Sequence, residues 1–347
     1  MTVRIGFIGV GFMGQMAHLH SFSQVPGCQI AAIAEIRPQL AREVARKYHI
    51  PAIYATHAEL LADPSIDAVV CSQPYHRNYP LGRDVLRAGK SLFTEKPMAA
   101  RLDDARELVS LAEEKGVTYA VGFMKRHDPG VLVARQAINQ FRNSGELGAL
   151  RMIDTTCFLG DWLQNPGKAI SSDEPMPAEE AGARYPDFLA TSKREDYDHF
   201  LNIYSHNVNL LHFLLPGEPI VCDSVLQRGH SFLVSMHHGD TVISLRGVPT
   251  RSHQWEETTT LVFSEGRVHI QSATPLNRQA VADVSIYHEI DGVFTERKLF
   301  PPIEWAFLRH ARAFVDAVAN KTPLSTAGLE CLHDVALMED IFARLGD

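Results

Sequence analysis

Lys96 lies in Glu95-Lys96-Pro97, directly after the short apolar run Ser91-Leu-Phe-Thr94, so it stands where a buried strand ends. A lysine between low-dielectric walls and beside a cationic ring has its pKa lowered and can share a proton with a hydroxyl. By spacing alone, a surface lysine in a loop is the commoner case. A second candidate lies far downstream, in the helix-like run Asp198 to Gly217 that Pro216-Gly217 stops. Asn202 and His206 are four residues apart there and share a face, with Asn209 one turn on. Leu201, Val208, Leu211 and Leu215 can face a core. An imidazole on a polar stripe is a reasonable general base, because its ordinary pKa is about 6.5. Taken alone, a structural histidine is the more frequent reading.

A third group binds rather than reacts. The β-branched run from Val3 to Ile8 breaks into Gly9-x-Gly11-x-x-Gly14 and then into helix-prone residues that include Phe12 and Met13. Gly9 permits a tight turn, Gly11 lets backbone approach a pyrophosphate, and Gly14 lets the helix pack closely on the strand. Gln29 to Ala34 reads as the next strand and ends in Glu35, close to the spacing of about 20 residues at which a carboxylate accepts from an adenosine ribose. Glycine loop, helix, second strand and terminal acid predict a bound dinucleotide. Packing alone is the other reading of the glycines. Glu35 favours NAD by repelling a 2′-phosphate, whereas Arg37 could receive that phosphate, so NAD is expected and NADP stays open.

The elements that must position these residues fall into two textures. Up to about residue 122, strand-like and helix-like stretches alternate, which predicts a doubly wound parallel sheet. Gly9, Glu35, Ser72, Glu95 and Lys125 lie just past its strand ends, where such sheets bind ligands. From about residue 150, strands are expected at 151–158, 220–227, 231–237, 241–246, 257–264, 267–272, 283–289 and 292–299. Gly239-Asp240, Glu265-Gly266 and Asp291-Gly292 punctuate them as hairpin turns. That is an α+β domain with a large, open, mostly antiparallel sheet, whose free face suits a homodimer or homotetramer. Two helices close the chain, the last over 327–345 with Leu329, Leu332, Val335 and Ala336 as its apolar stripe. Domain boundaries follow at 1–124 and 125–347, with the C-terminal helices able to pack back on the first domain. Residues 160–197, rich in Pro, Asp and Glu, read as a solvated loop or as a lid, and Asp161 and Trp162 within them are substrate-contact guesses.

Composition removes other classes. The chain of 347 residues has 45% hydrophobic and 21% charged residues and a net charge of −8, which argues against nucleic acid or an anionic membrane as partner. No apolar run approaches the roughly 18 residues of a spanning helix, and no basic segment precedes a cleavage site, so a cytoplasmic protein without a signal peptide is expected. Five scattered cysteines with no CxxC fit reduced thiols. His18 and His20, two apart on a helix, cannot share a ligand face, and neighbouring His237 and His238 point to opposite faces of a strand. No metal site is expected.

The sequence resembles the glucose–fructose oxidoreductase / inositol dehydrogenase (Gfo/Idh/MocA) family along essentially its whole length. The resemblance rests on Ile5 to Gly14, Ala34-Glu35, Gln73-Pro74 with Ala88-Gly89-Lys90, Glu95-Lys96-Pro97, Gly122 to Pro129, Asn202-x-x-x-His206 and Phe314 to Val318. It implies a Rossmann dinucleotide-binding domain followed by an α+β substrate domain. The implied activity is NAD(P)-dependent hydride transfer to or from a secondary alcohol of a sugar, sugar derivative or cyclitol. Lys96 and His206 match the family's catalytic pair, and Arg126 matches a residue bordering substrate. Ser72, Gln73, Pro74 and Asn78 fall at its cofactor contacts. Two positions depart: Asn202 stands where many members have an acid, and Asn78 where many have a histidine. Asparagine holds a hydroxyl but accepts no proton. Other readings are a reductase of a non-sugar carbonyl or dihydrodiol, and a non-catalytic dinucleotide-sensing protein.

Overall fold

A computed structural model describes residues 2–164, 167–175 and 184–345. The chain divides into two compact units, one comprising Met1–Phe123, Pro166–Pro186 and Phe307–Val335, the other Met124–Asn165, Asp187–Ala306 and Ala336–Asp347.

The first unit carries strands β1 (Val3–Ile8), β2 (Cys28–Ala34), β3 (Ala52–Tyr54), β4 (Ala68–Cys71), β5 (Ser91–Thr94) and β6 (Tyr119–Val121). They form a parallel sheet in the order β3-β2-β1-β4-β5-β6, the doubly wound arrangement the alternation predicts. Strands buried on both faces need side chains that are apolar throughout, and β4 is buried at every position. Helices follow where their end signals stand: Thr56 and Glu59 make a reciprocal capping box, and Gly116, at φ 63°, closes the Leu102–Lys115 helix. Phe7, Phe22, Phe93 and Phe314 meet edge-on, with centroid separations of 5.7 Å for Phe7–Phe22, 5.8 Å for Phe22–Phe93 and 5.5 Å for Phe93–Phe314. Phe314 comes from the Ala306–Asn320 helix, so this core draws on residues far apart in sequence. The edge strand β6 is covered as well, since the Val121 N–H donates to the Thr326 carbonyl at 2.9 Å.

The second unit holds all eight strands expected after residue 150: β7 (Leu150–Leu159), β8 (Val221–Arg228), β9 (Ser231–His238), β10 (Thr241–Gly247), β11 (Glu256–Phe263), β12 (Gly266–Gln271), β13 (Asp283–Ile290) and β14 (Val293–Leu299). Their order is β14-β13-β12-β11-β7-β10-β9-β8. Two antiparallel meanders flank β7, which pairs parallel with β10 and antiparallel with β11. Alternation along β11 puts Glu257, Thr259, Leu261 and Phe263 inside and leaves Thr258, Thr260 and Val262 on the open face. Asp291 (φ 51°) and Gly292 (φ 76°) make the primed turn between β13 and β14.

Two readings are corrected. The run through His206 is two helices, Arg194–Ile203 and Ser205–Leu214, meeting at Tyr204. The Tyr204 carbonyl accepts from both Asn207 (3.0 Å) and Val208 (3.1 Å), a tightening that accompanies burial of its ring against Phe200 and Phe232. In the last helix, Gly328–Ala343, Leu329 is 55% exposed. Val335 is buried as the stripe predicts, and Cys331, Asp334, Leu337, Met338, Ile341 and Phe342 are buried with it.

Candidate active site

Strand register builds the candidate site in the first unit. Ile8 pairs with Ala34 and with Cys71, and Cys71 pairs with Thr94, so four strand ends lie in one row. Gly9, Glu35, Ser72 and Glu95 are the residues that follow them, at the carboxyl edge of the sheet.

The glycine loop fits a pyrophosphate. Gly9 sits at φ +85°, which L side chains rarely adopt, and an added Cβ would strike the side chain of Gln73. A Cβ on Gly14 would come within 3.0 Å of the Gly9 carbonyl oxygen, whereas a Cβ on Gly11 would meet nothing within 4 Å. Gly9 and Gly14 are therefore needed by the fold, while Gly11 leaves open space beside the loop. Ser72 and Gln73 pack against this turn, Gln73 donating from Nε2 to the Ile8 carbonyl at 3.3 Å. Phe12 is exposed and Met13 half-buried at the start of the helical segment, and Pro74 precedes the single turn Tyr75–Arg77. Gly11→Ala should leave the melting temperature unchanged and weaken dinucleotide binding at least about tenfold, since a methyl then crowds the phosphates. Equal affinity in the variant, measured by fluorescence titration, would remove the loop from the binding site.

Glu35 is nearly buried and fully engaged. Its carboxylate accepts from the Val10 N–H at 3.1 Å, from the Arg37 N–H at 3.2 Å, and from the Arg37 guanidinium at 2.7 and 3.1 Å. That hydrogen bond, outweighing desolvation, raises the Arg37 pKa further, so the pair is a fixed ion pair at the end of β2.

Around Lys96 the loop is held by side chains whose bracing role the sequence did not signal. Asn78, fully buried, donates from Nδ2 to the Glu95 carbonyl (2.7 Å) and the Pro97 carbonyl (2.8 Å), one on each side of Lys96. The Lys96–Pro97 peptide is cis. Glu95 accepts the Lys96 N–H at 3.1 Å and takes a 2.5 Å contact from His18 Nε2. His18 is buried between Phe93 and Phe307, and it lies in a wide, π-type turn, Gly14–Leu19. Burial pulls the Glu95 pKa up, but the hydrogen bond and charge of His18, with Lys96, outweigh it and hold the carboxyl below its ordinary range. A depressed folded pKa means that this carboxylate stabilises the fold above the ordinary range, and loses that effect as pH falls through the lowered value. A histidine set aside for metal binding thus serves the lysine loop. Only its placement one wide turn past the glycines could have pointed to it.

The second unit carries the remaining candidates. His206 is half-buried and Asn202 exposed, on the two helices that meet at Tyr204. Arg126, in the turn Met124–His127, is 3% exposed and donates to Asn209 Oδ1 (2.8 Å) and to the Asn209 carbonyl (3.2 Å). Trp162 is exposed, and Asp161 closes its own turn by accepting the Leu163 N–H at 2.9 Å. Lys125 is buried on Glu257, which Asn207 also reaches from Nδ2 at 3.3 Å. Burial pushes the Cys71 and Cys157 thiols up to about 12, so neither is a thiolate nucleophile at neutral pH. Among the described residues no group of His, Cys, Asp and Glu could hold a metal ion.

Comparison with known proteins places this geometry. Residues 3–123 match the oxidoreductase family with an NAD-binding Rossmann fold, GFO_IDH_MocA. An inositol 2-dehydrogenase/D-chiro-inositol 3-dehydrogenase of Shouchella clausii is 37% identical over 144 residues, 40% of this chain and 41% of the relative. A levoglucosan dehydrogenase of Pseudarthrobacter phenanthrenivorans is 28% identical over 178 residues, 49% of this chain and 44% of that protein. The chain thus spans less than half the length of these curated relatives. A 3-ketoreductase from Actinomadura kijaniata, solved with NADP and TDP-benzene, has the same fold with TM-score 0.75 at 18% identity, covering 98% of this chain and 97% of that one. Glycine loop, strand-end acid and Glu-Lys-Pro loop all fall in the matched segment, residues 3–123, which is similar to the NAD-binding Rossmann domain of the Gfo/Idh/MocA oxidoreductase family.

Proposed function

We propose that the protein is an NAD(P)-dependent oxidoreductase that interconverts a secondary alcohol and a ketone on a sugar, sugar derivative or cyclitol. The observation that carries the reading is the row of Gly9, Glu35, Ser72 and Glu95 along one sheet edge, with Lys96 on a loop braced by Asn78. Relatives that act on inositol and levoglucosan support the substrate class.

The dinucleotide, when bound, supplies the nicotinamide carbon that takes or returns the hydride. Gly9, Gly11, Phe12, Met13, Gly14, Ser72, Gln73, Pro74 and Asn78 are assigned to its phosphates and nicotinamide half, and Glu35 with Arg37 to its adenosine ribose. Glu35 gives the ribose hydroxyls an acceptor, which favours NAD over NADP. Lys96 hydrogen-bonds the alcohol oxygen and steadies the charge that develops there. His206 takes the hydroxyl proton, and Asn202, a hydrogen-bonding group without acid–base capacity, orients a neighbouring hydroxyl. Arg126 and Trp162 complete the substrate contacts. In this reading residues 1–124 bind cofactor, and residues 125–347 bind substrate and pair copies of the chain through the open sheet face into a dimer or tetramer. A cytoplasmic location goes with it; among the described residues no helix is long and apolar enough to cross a membrane.

A panel of inositols, anhydrosugars and nucleotide sugars, assayed with NAD and NADP by nicotinamide absorbance, tests the reading. Turnover of at least one polyol or sugar is expected, from a protein whose light-scattering mass is that of a dimer or tetramer. No absorbance change across the panel would overturn the activity, and a monomeric mass would overturn the assembly.

A further inference from the structure

We propose that Glu174 is a specificity-determining residue that disfavours a 2′-phosphate on the adenosine ribose; the inference rests on the dinucleotide reading above. Residues 167–175 follow β7 in sequence but belong to the parallel-sheet unit. Their attachment is specific. The fully buried Gln15 side chain donates to the Val10 carbonyl and the Ile170 carbonyl, both at 2.9 Å, and accepts the Ile170 N–H at 2.8 Å. The segment is thereby pinned to the turn that follows the glycine loop. Four residues on, the Glu174 carboxylate accepts the Gln39 N–H at 2.8 Å and the Leu40 N–H at 3.0 Å, while Ser172 donates to it at 2.7 Å. Desolvation opposes ionisation, but these donors and the charge of Arg42 outweigh it and hold the acid below its ordinary range.

Gln39 and Leu40 lie two and three residues past Arg37. A ribose phosphate at the end of β2 would need cationic and N–H donors there, of the kind a guanidinium and the first amides of the following helix provide. Both are already engaged by carboxylates of this chain: Arg37 by Glu35, and the amides by Glu174. Ribose hydroxyls need only an acceptor, which Glu35 is. Glu174 therefore adds a fixed negative charge, from a distant part of the sequence, that a phosphate feels and a hydroxyl does not.

The test is fluorescence titration of the full chain with NADH and NADPH at low salt, for wild type, Glu174→Gln and Glu174→Ala. Glutamine keeps an acceptor for the amides, so the helix start survives and only charge is lost. NADPH should bind about five- to tenfold tighter in both variants, with NADH changed less than about twofold. The gain should fade in about 1 M salt, where charge effects are screened. An unchanged NADPH-to-NADH ratio, or parallel weakening of both, would overturn the assignment. If wild type binds neither dinucleotide, the underlying reading falls and the inference with it.

Discussion

Lys96→Ala should lower kcat by about 10²- to 10⁴-fold while leaving the NADH dissociation constant within about threefold of wild type. The asymmetry follows from how the loop is held. Asn78 grips the backbone on both sides of Lys96, and Glu95 takes the Lys96 N–H, so removing the side chain beyond Cβ leaves the loop in place. On the proposed mechanism, what is lost is the amine assigned to steady charge on the alcohol oxygen. Asn78→Ala makes the complementary change: the Glu95 and Pro97 carbonyls lose their donor while the amine stays, and a smaller fall in kcat is expected. Steady-state rates on the best substrate of the panel, with binding titrations on the same samples, check both variants. A Lys96→Ala enzyme within about threefold of wild-type kcat would exclude the lysine from the chemistry.

The second large effect concerns stability. Lys125→Met should destabilise the fold by about 3–5 kcal/mol, because it leaves the Glu257 carboxylate, 1% exposed, without its ion partner. Asn207 still reaches one Glu257 oxygen, and the other has no hydrogen-bond partner even in the wild-type structure. Replacing both charges, as in Lys125→Met with Glu257→Leu, should recover most of the loss, since a buried pair exchanged for apolar side chains of similar volume is often neutral. Urea unfolding of the single and double variants decides it. A single variant within about 0.5 kcal/mol of wild type would show that the pair carries no such load.

Much of this architecture is legible in the residues themselves. Uninterrupted apolar runs after residue 1 and alternating runs after residue 150 carry different periods, so both sheets and all eight later strands could be read locally. The row of strand ends was legible for the same reason, since each end is marked by a polar residue after a buried run. Lys125 resisted, because its partner Glu257 is far away in sequence and nothing local says that a lysine past a strand end turns inward. Strand order in the second sheet resisted too: the turns announce hairpins, but nothing near β7 announces that it lies between β10 and β11. Leu329 and the interruption at Tyr204 are cases in which packing overrides a periodic pattern. His18, Asn78 and Glu174 matter through hydrogen bonds to residues 77, 17 and 135 positions away, and such pairings leave no trace in spacing.

The composite make-up of the parallel-sheet unit has a consequence for synthesis on the ribosome. Its six strands are complete once residue 121 is made, yet Ala311, Phe314 and Val315 belong to the same core, and Thr326 bonds the edge strand β6. A nascent chain that has finished its glycine loop and all its sheet strands still carries an uncovered apolar face while nearly two hundred further residues are added. At about 5–20 residues per second that delay is on the order of ten to forty seconds. The parallel-sheet unit is completed only after most of the second unit has been made, and during that interval it is the part of the chain with most to gain from a chaperone.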